Sequence, residues 1–191
     1  MNRRKTGVLL AGAALAAGLV ALLARVNHDR LNPVVAGSSA PHFSAFDLEG
    51  TPISLDDYRG DVVLLNIWAT WCAPCKEEMP SIQRLHEQVQ DEDFHVLAVS
   101  IDQPTGDHDP ANPLDGRLRV FAESLGLTFT ILHDPSGEIS TTYQTTGVPE
   151  SFVVDREGII LKEITGPTAW DAPQNVQLIR RLLDEESPPV Q

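Results

Sequence analysis

The sequence predicts an α/β domain with a central mixed sheet flanked by helices, and three stretches carry that prediction. Two continuous apolar runs, Asp61–Thr70 and Phe94–Asp102, are separated by a segment of helical spacing. That pattern is expected of strands buried on both faces and joined by a right-handed parallel crossover. A later stretch, Ser151–Gly166, reads as two strands turning at Glu157-Gly158, which adds antiparallel pairs and makes the sheet mixed. The chain has 191 residues, 42% apolar and 21% charged, enough for one ordinary globular domain plus an appendage.

The appendage comes first. Arg3, Arg4 and Lys5 precede an uncharged, mostly small and apolar run from Gly7 to Ala24, which is followed by Arg25, His28, Asp29 and Arg30. As a helix this run would extend roughly 27 Å, just enough to span a membrane core. Bulky and charged residues follow it where a cleaved signal would show small ones, so an anchor is favored over a cleaved signal. The basic flank keeps the tail in the cytoplasm and sends the body across. The expected organization is a cytoplasmic tail over 1–6, a transmembrane anchor or uncleaved signal over 7–24, a linker over 25–42, the folded domain over 43–186 and a tail over 187–191.

Within the body, Leu31–Pro41 is rich in small residues and Pro, as a linker should be. Two short alternating segments around Glu49-Gly50 read as a β-hairpin extension ahead of the core. After the first buried strand, a helix is expected from about Pro74 to Val89, with Met79, Ile82, Leu85 and Val89 on one face. Beyond the second strand, Gln103–Gly116 is a Pro-, Gly- and Asp-rich loop whose Asp107, His108 and Asp109 read as exposed turn formers before metal ligands. A helix over Arg117–Leu125, a short strand over Thr128–Asp134 and a helical turn within Ser136–Thr146 come next. The chain closes, after the second hairpin, on an amphipathic helix through Val176, Ile179, Leu182 and Leu183.

Charge narrows the function. There are 27 acidic and 14 basic residues, and the body from Pro33 onward holds 26 of the former and 9 of the latter. Nucleic acid is excluded as an expected partner. The acidic surface reads as solubilizing, with long-range attraction of a basic protein as the alternative.

Cys72 and Cys75, two residues apart, are the chain's two cysteines. As a staple they would close too short a loop to constrain the unfolded chain. As a metal site they lack a second Cys pair or a His cluster. A redox pair remains. Cys72 stands where the helix begins, so unpaired backbone N–H groups and the positive end of the helix dipole favor its thiolate. It is the expected nucleophile, and Cys75, one turn on, the expected resolving thiol. Pro74 sits where a helix start needs no N–H. Trp71 either shields the pair or is an ordinary core aromatic.

The stretches "LLNIWATWCAPCKEEMPSIQRL", "LAVSID", "ILHDPSGEISTTYQTTGVPESFVVDREGII" and "ITGPTAW", in this order over Phe43–Glu186, resemble the membrane-anchored thiol-disulfide oxidoreductases of the TlpA, ResA and CcmG type. The last stretch is most similar to TlpA. The resemblance implies a thioredoxin-like fold and a dithiol-disulfide cycle without a cofactor. It also implies a cis bond at Val148-Pro149, so that Val148 and Pro149, with Trp71 and Glu150 alongside, meet an extended substrate segment. Glu150 stands where thioredoxins usually carry Thr; a contact with substrate or Cys75 and a solvated carboxylate are both open. Thioredoxin's buried Asp, six residues before its first Cys, is replaced by Asn66, which takes no proton. The resemblance moves a functional carboxylate onto Glu78, the third member of the expected catalytic set with Cys72 and Cys75. Burial against Trp68 and Pro80 would raise its pKa toward neutrality and suit it to deprotonate Cys75. Glu77 is expected to face solvent.

Oxidizing relatives place a His between the cysteines to stabilize the reduced form, and Ala73-Pro74 offers none, so a reductant is expected. Implied substrates are disulfides of exported proteins, such as an apocytochrome c, a copper-site protein or its chaperone. Electrons are expected from a membrane thiol reductase. The expected location is the cell inner membrane, single-pass, with the catalytic domain in the periplasm. A general disulfide oxidase is the alternative within this class. From other classes, a thiol peroxidase lacks its Pro-x-x-x-Thr-x-x-Cys pocket around Cys72, and a copper-binding chaperone module would need a third ligand, for which His133 is the candidate.

Overall fold

The computed structural model describes residue 18 and residues 33–89, 93–103 and 116–185. The chain divides into two units, Met1–Pro33 and Val34–Gln191, and the second carries the sheet. Apart from Gly18, the expected anchor run lies outside the described residues, as do both expected tails and the loop holding Asp107, His108 and Asp109. Among the described residues no helix is long and apolar enough to cross a membrane.

Among these residues seven strands form one sheet: β1 (Ser44–Phe46), β2 (Pro52–Ser54), β3 (Val62–Trp68), β4 (Phe94–Ser100), β5 (Thr130–His133), β6 (Glu150–Val154) and β7 (Ile160–Thr165). Their order is β2-β1-β5-β4-β3-β6-β7. The central β3, β4 and β5 are parallel, while β6 and β7 on one side and β1 and β2 on the other pair antiparallel. The helices are α1 (Ala73–Val89), α2 (Arg117–Leu125), α3 (Glu138–Thr142) and α4 (Pro173–Asp184). This is the thioredoxin-like arrangement expected from the sequence, with the early hairpin added at one edge.

Strand β3 shows why its sequence is continuously apolar. Successive side chains point to opposite faces. Val62, Leu64 and Trp68 join a core with Met79, Ile82 and Leu85 of α1 and Val176, Ile179 and Leu182 of α4. Val63, Leu65 and Ile67 join a second core with Phe43, Ile139 and Tyr143. Both faces are covered, so neither can be polar. Cutting fully buried Ile82 or Leu85 back to Ala would cost about 2–5 kcal/mol. Asn66 is the exception in β3: it is fully buried, and its even-numbered position turns it toward α1 and α4.

Turn chemistry sets the boundaries. Gly126 ends α2 at φ +64, with its N–H on the Ala122 and Glu123 carbonyls, a backbone shape other residues adopt only under strain. The β6–β7 turn places Gly158 at φ +79 while the Asp155 carboxylate accepts from the Glu157 and Ile159 N–H groups. Helix α4 starts at Pro173, where its missing N–H has no helical partner to lose.

The folded unit begins inside the stretch expected as linker. Gly37 and Ala40 donate to the Ile160 and Gly158 carbonyls, and Ile160 donates back to Ser38, so this strap extends the sheet beside β7. The Tyr143 hydroxyl then donates to the Pro41 carbonyl at 2.8 Å, and Phe43 meets the Tyr143 ring edge-on.

Candidate active site

The parallel crossover carries the chain from the end of β3 straight into α1, and the two cysteines stand at that junction. Cys72 precedes the first helical residue and Cys75 is the third, so the Cys75 N–H points back at Cys72 Sγ at 3.1 Å. This is the side-chain cap geometry of a helix N-terminus with sulfur in the place of oxygen. A thiolate on Cys72 would gain that donor and the adjacent helix dipole. Cys72 and Cys75 are joined as a disulfide, the oxidized end of the expected cycle. Cys75 is fully buried, whereas Cys72 keeps 5% of its surface. Only one sulfur of the pair is thus open to attack or to attacking.

The wall facing Cys72 is the turn before β6. Val148-Pro149 is cis, and the Val148 carbonyl oxygen lies 3.4 Å from Cys72 Sγ. Trp71, adjacent to Cys72, is 66% exposed and so is not a core aromatic. Glu150 is buried, not solvated. Its oxygens accept from the Thr146 N–H and the Thr165 hydroxyl, both at 3.2 Å, and so tie the turn to the β6–β7 pair. Burial raises its pKa, and nearby Glu163 adds to the rise, against those two hydrogen bonds.

Glu78, three residues after Cys75, falls on the same side of α1 and is 2% exposed. Its Oε1 accepts from Asn66 Nδ2 at 2.7 Å, and its Oε2 accepts from the Thr168 N–H at 2.7 Å. Burial pushes its pKa up to about 7. The Thr168 N–H, the Trp170 indole and Asn66 pull the other way. Trp170 Nε1 is buried with no hydrogen-bond partner among the described residues. Glu77, by contrast, is exposed, as expected.

The partners that hold Glu78 come from far along the chain. Asn66 Nδ2 also donates to Ser151 Oγ of β6 at 2.9 Å, leaving Asn66 Oδ1 buried without a partner. Ser81 Oγ accepts from the Trp170 N–H and lies 2.8 Å from the Glu78 carbonyl and 3.0 Å from the Thr168 carbonyl, either of which can take its proton. "GPTAW" is therefore the segment that closes the far side of the carboxylate. In the sequence that stretch carries a family likeness and no sign of this role. Ser151, Ser81 and Thr168 went unnoticed, and so did Asp102, which grips Thr70 two residues before Cys72.

His133 is buried, with Nε2 set 2.7 Å from the Asp102 carbonyl oxygen. It does not join the cysteines: among the described residues no three His, Cys, Asp or Glu side chains form a group able to hold a metal ion.

Residues 36–163 match the AhpC/TSA family. The thiol-disulfide oxidoreductase ResA of Geobacillus thermodenitrificans is 38% identical over 150 residues, which cover 77% of this chain and 79% of that protein. The thioredoxin-like protein YneN of Bacillus subtilis is 38% identical over 124 residues, 65% of this chain and 68% of that one. A solution structure of a thiol:disulfide interchange protein from a Bacteroides species shares the fold, with a TM-score of 0.63 and 22% identity over 80% of this chain and 92% of that one.

Proposed function

From a chain that belongs to the AhpC/TSA family, and within it to the thiol-disulfide oxidoreductases of the ResA type, we infer a protein-disulfide reductase serving exported proteins. The observation that carries the exchange chemistry is Glu78, a buried carboxyl one helical turn beyond Cys75 whose pKa lies at about 7. The reducing direction rests on the family resemblance and on Ala73-Pro74. Reduction of a substrate needs the buried thiol to lose its proton, and the burial and raised pKa of Glu78 support it as the group that takes it.

In the cycle we propose, the Cys72 thiolate attacks one sulfur of a substrate disulfide. The substrate S–S bond breaks, its leaving sulfur takes a proton, and a mixed disulfide forms on Cys72. Cys75 then passes its proton to Glu78 and attacks Cys72 Sγ. The Cys72–substrate bond breaks, and the Cys72–Cys75 disulfide forms. Two electrons have passed to the substrate, and a membrane thiol reductase returns the protein to its dithiol state. Ala73 and Pro74 supply no cation to stabilize the reduced form, which supports a low potential.

The substrate class follows the family resemblance: an apocytochrome c, or a copper-site protein or its chaperone. Their extended segment would lie along Val148 and Pro149, beside exposed Trp71. The apolar run at Gly7–Ala24 supports a reading in which the catalytic domain is held at the periplasmic face of the inner membrane. The test is capture: Cys75→Ser should hold the partner as a mixed disulfide on Cys72, released by reductant. Capture that persists in Cys72→Ser/Cys75→Ser contradicts the scheme.

A further inference from the structure

Asp102 stands at the end of β4, is 7% exposed, and has no part in the proton path described above. Its carboxylate reaches sideways to the chain leaving β3. Oδ2 accepts from the Thr70 N–H at 2.9 Å and Oδ1 from the Thr70 hydroxyl at 2.7 Å, a two-pronged hold on one residue. The Ser100 hydroxyl donates to Oδ2 at 2.5 Å, and the Asp102 N–H donates back to Ser100 Oγ at 3.1 Å, which fixes the carboxylate before it meets Thr70. The titratable group facing it from β5 is His133, whose Nε2 lies 2.7 Å from the Asp102 carbonyl oxygen.

Thr70 lies inside the turn that delivers Cys72: the Cys72 N–H closes that turn on the Ala69 carbonyl at 3.2 Å. Cys72 Sγ in turn stands between the Cys75 N–H at 3.1 Å and the Val148 carbonyl at 3.4 Å. A movement of the turn by a few tenths of an ångström would change both distances. A helix-start sulfur keeps its thiolate advantage only while the backbone donors point at it.

We propose that Asp102 is a positioning residue for Cys72: by clamping Thr70 through both its N–H and its hydroxyl it holds the attacking sulfur at the start of α1 and across from Val148. Thr70 is specified by this role, since it alone of the pair's upstream neighbors offers a side-chain donor to the carboxylate. The inference rests on Cys72 being the attacking cysteine and is independent of the direction in which electrons move.

The test compares Thr70→Val, which keeps the shape and loses the hydroxyl, with Thr70→Ser, which keeps both donors. Reduced protein is alkylated with iodoacetamide across pH, the labeled cysteine is identified by mass, and thermal unfolding is followed in parallel. In Thr70→Val the pH midpoint of Cys72 labeling should rise by about half a unit or more, and thiolate formation at neutral pH should fall about threefold. Thr70→Ser should stay near the wild type. Asp102→Asn breaks the same clamp from the other side and should slow labeling even where unfolding is little changed. Labeling profiles that coincide for wild type, Thr70→Val and Asp102→Asn while only the unfolding temperature falls would overturn the proposal. Labeling that lands on Cys75 in the wild type would instead overturn the assignment of the attacking cysteine.

Discussion

Asn66 Nδ2 stands 2.7 Å from Glu78 Oε1, joining the buried amide of β3 to the one carboxyl on the buried face of α1. Asn66 cannot accept a proton, but its amide donates to Glu78, the proton acceptor proposed above. Removing its amide with Asn66→Ala withdraws a hydrogen bond from the ionized form, so the Glu78 pKa should climb above its value of about 7. The pH at which substrate reduction reaches half its maximal rate should climb with it. Stability near neutral pH should fall by about 1–3 kcal/mol, the cost of an unmet buried partner. Denaturant unfolding and a pH–rate profile on the same variant check both.

Glu78→Gln keeps the volume and removes the proposed proton acceptor. The rate of substrate reduction should drop by about 10²-fold at neutral pH, the usual scale of a lost general base. The limb of the wild-type profile that rises through about pH 7 should vanish. Stopped-flow reduction of a model disulfide between pH 5 and 9 reads both.

The same carboxyl leaves a mark on stability. Its folded pKa is raised from 4.5 to about 7, so the folded state binds the proton more tightly than the unfolded one. That contribution is fully present below pH 4.5 and is lost as pH rises through about 7. The loss amounts to about 3 kcal/mol at 1.36 kcal/mol per pKa unit. Glu78→Gln should flatten this part of the stability curve of the oxidized protein, and urea titrations at pH 4.5, 6 and 8 show whether it does.

Trp71 holds its indole largely in water beside Cys72. Trp71→Ala should move the unfolding free energy by less than about 0.5 kcal/mol, as for an exposed side chain. If the indole meets the substrate, KM for a folded protein disulfide should rise several-fold while the rate toward a small disulfide stays the same. Steady-state kinetics on the two substrates separate these effects.

Much of the fold was legible because its signals are local. Val62–Trp68 and Phe94–Ser100 are apolar throughout since both sheet faces are covered, and Gly50 and Gly158 mark hairpins whose strands are neighbors in sequence. The cysteines announced themselves by spacing and by their place before a helix. The rest depends on residues that meet only after folding. Gly37–Ala40 reads as linker because its partners, Gly158 and Ile160, lie about 120 residues away. Glu78 was readable as a candidate, but not the Thr168 N–H that meets it 90 residues on. Asp102 looked like the end of a strand. Its hold on Thr70, 32 residues back, exists only because β3 and β4 run parallel in the register that sets Trp68 opposite Ser100.

The direction of electron flow is the central claim, and the potential of the Cys72–Cys75 couple tests it most directly. Equilibrating the domain with glutathione or thioredoxin buffers and counting free thiols gives the number. A reductase working among oxidized proteins should lie below roughly −200 mV, toward the thioredoxin end of the scale. A value near −120 mV, where the strong oxidants lie, would contradict the account and make the protein a disulfide donor.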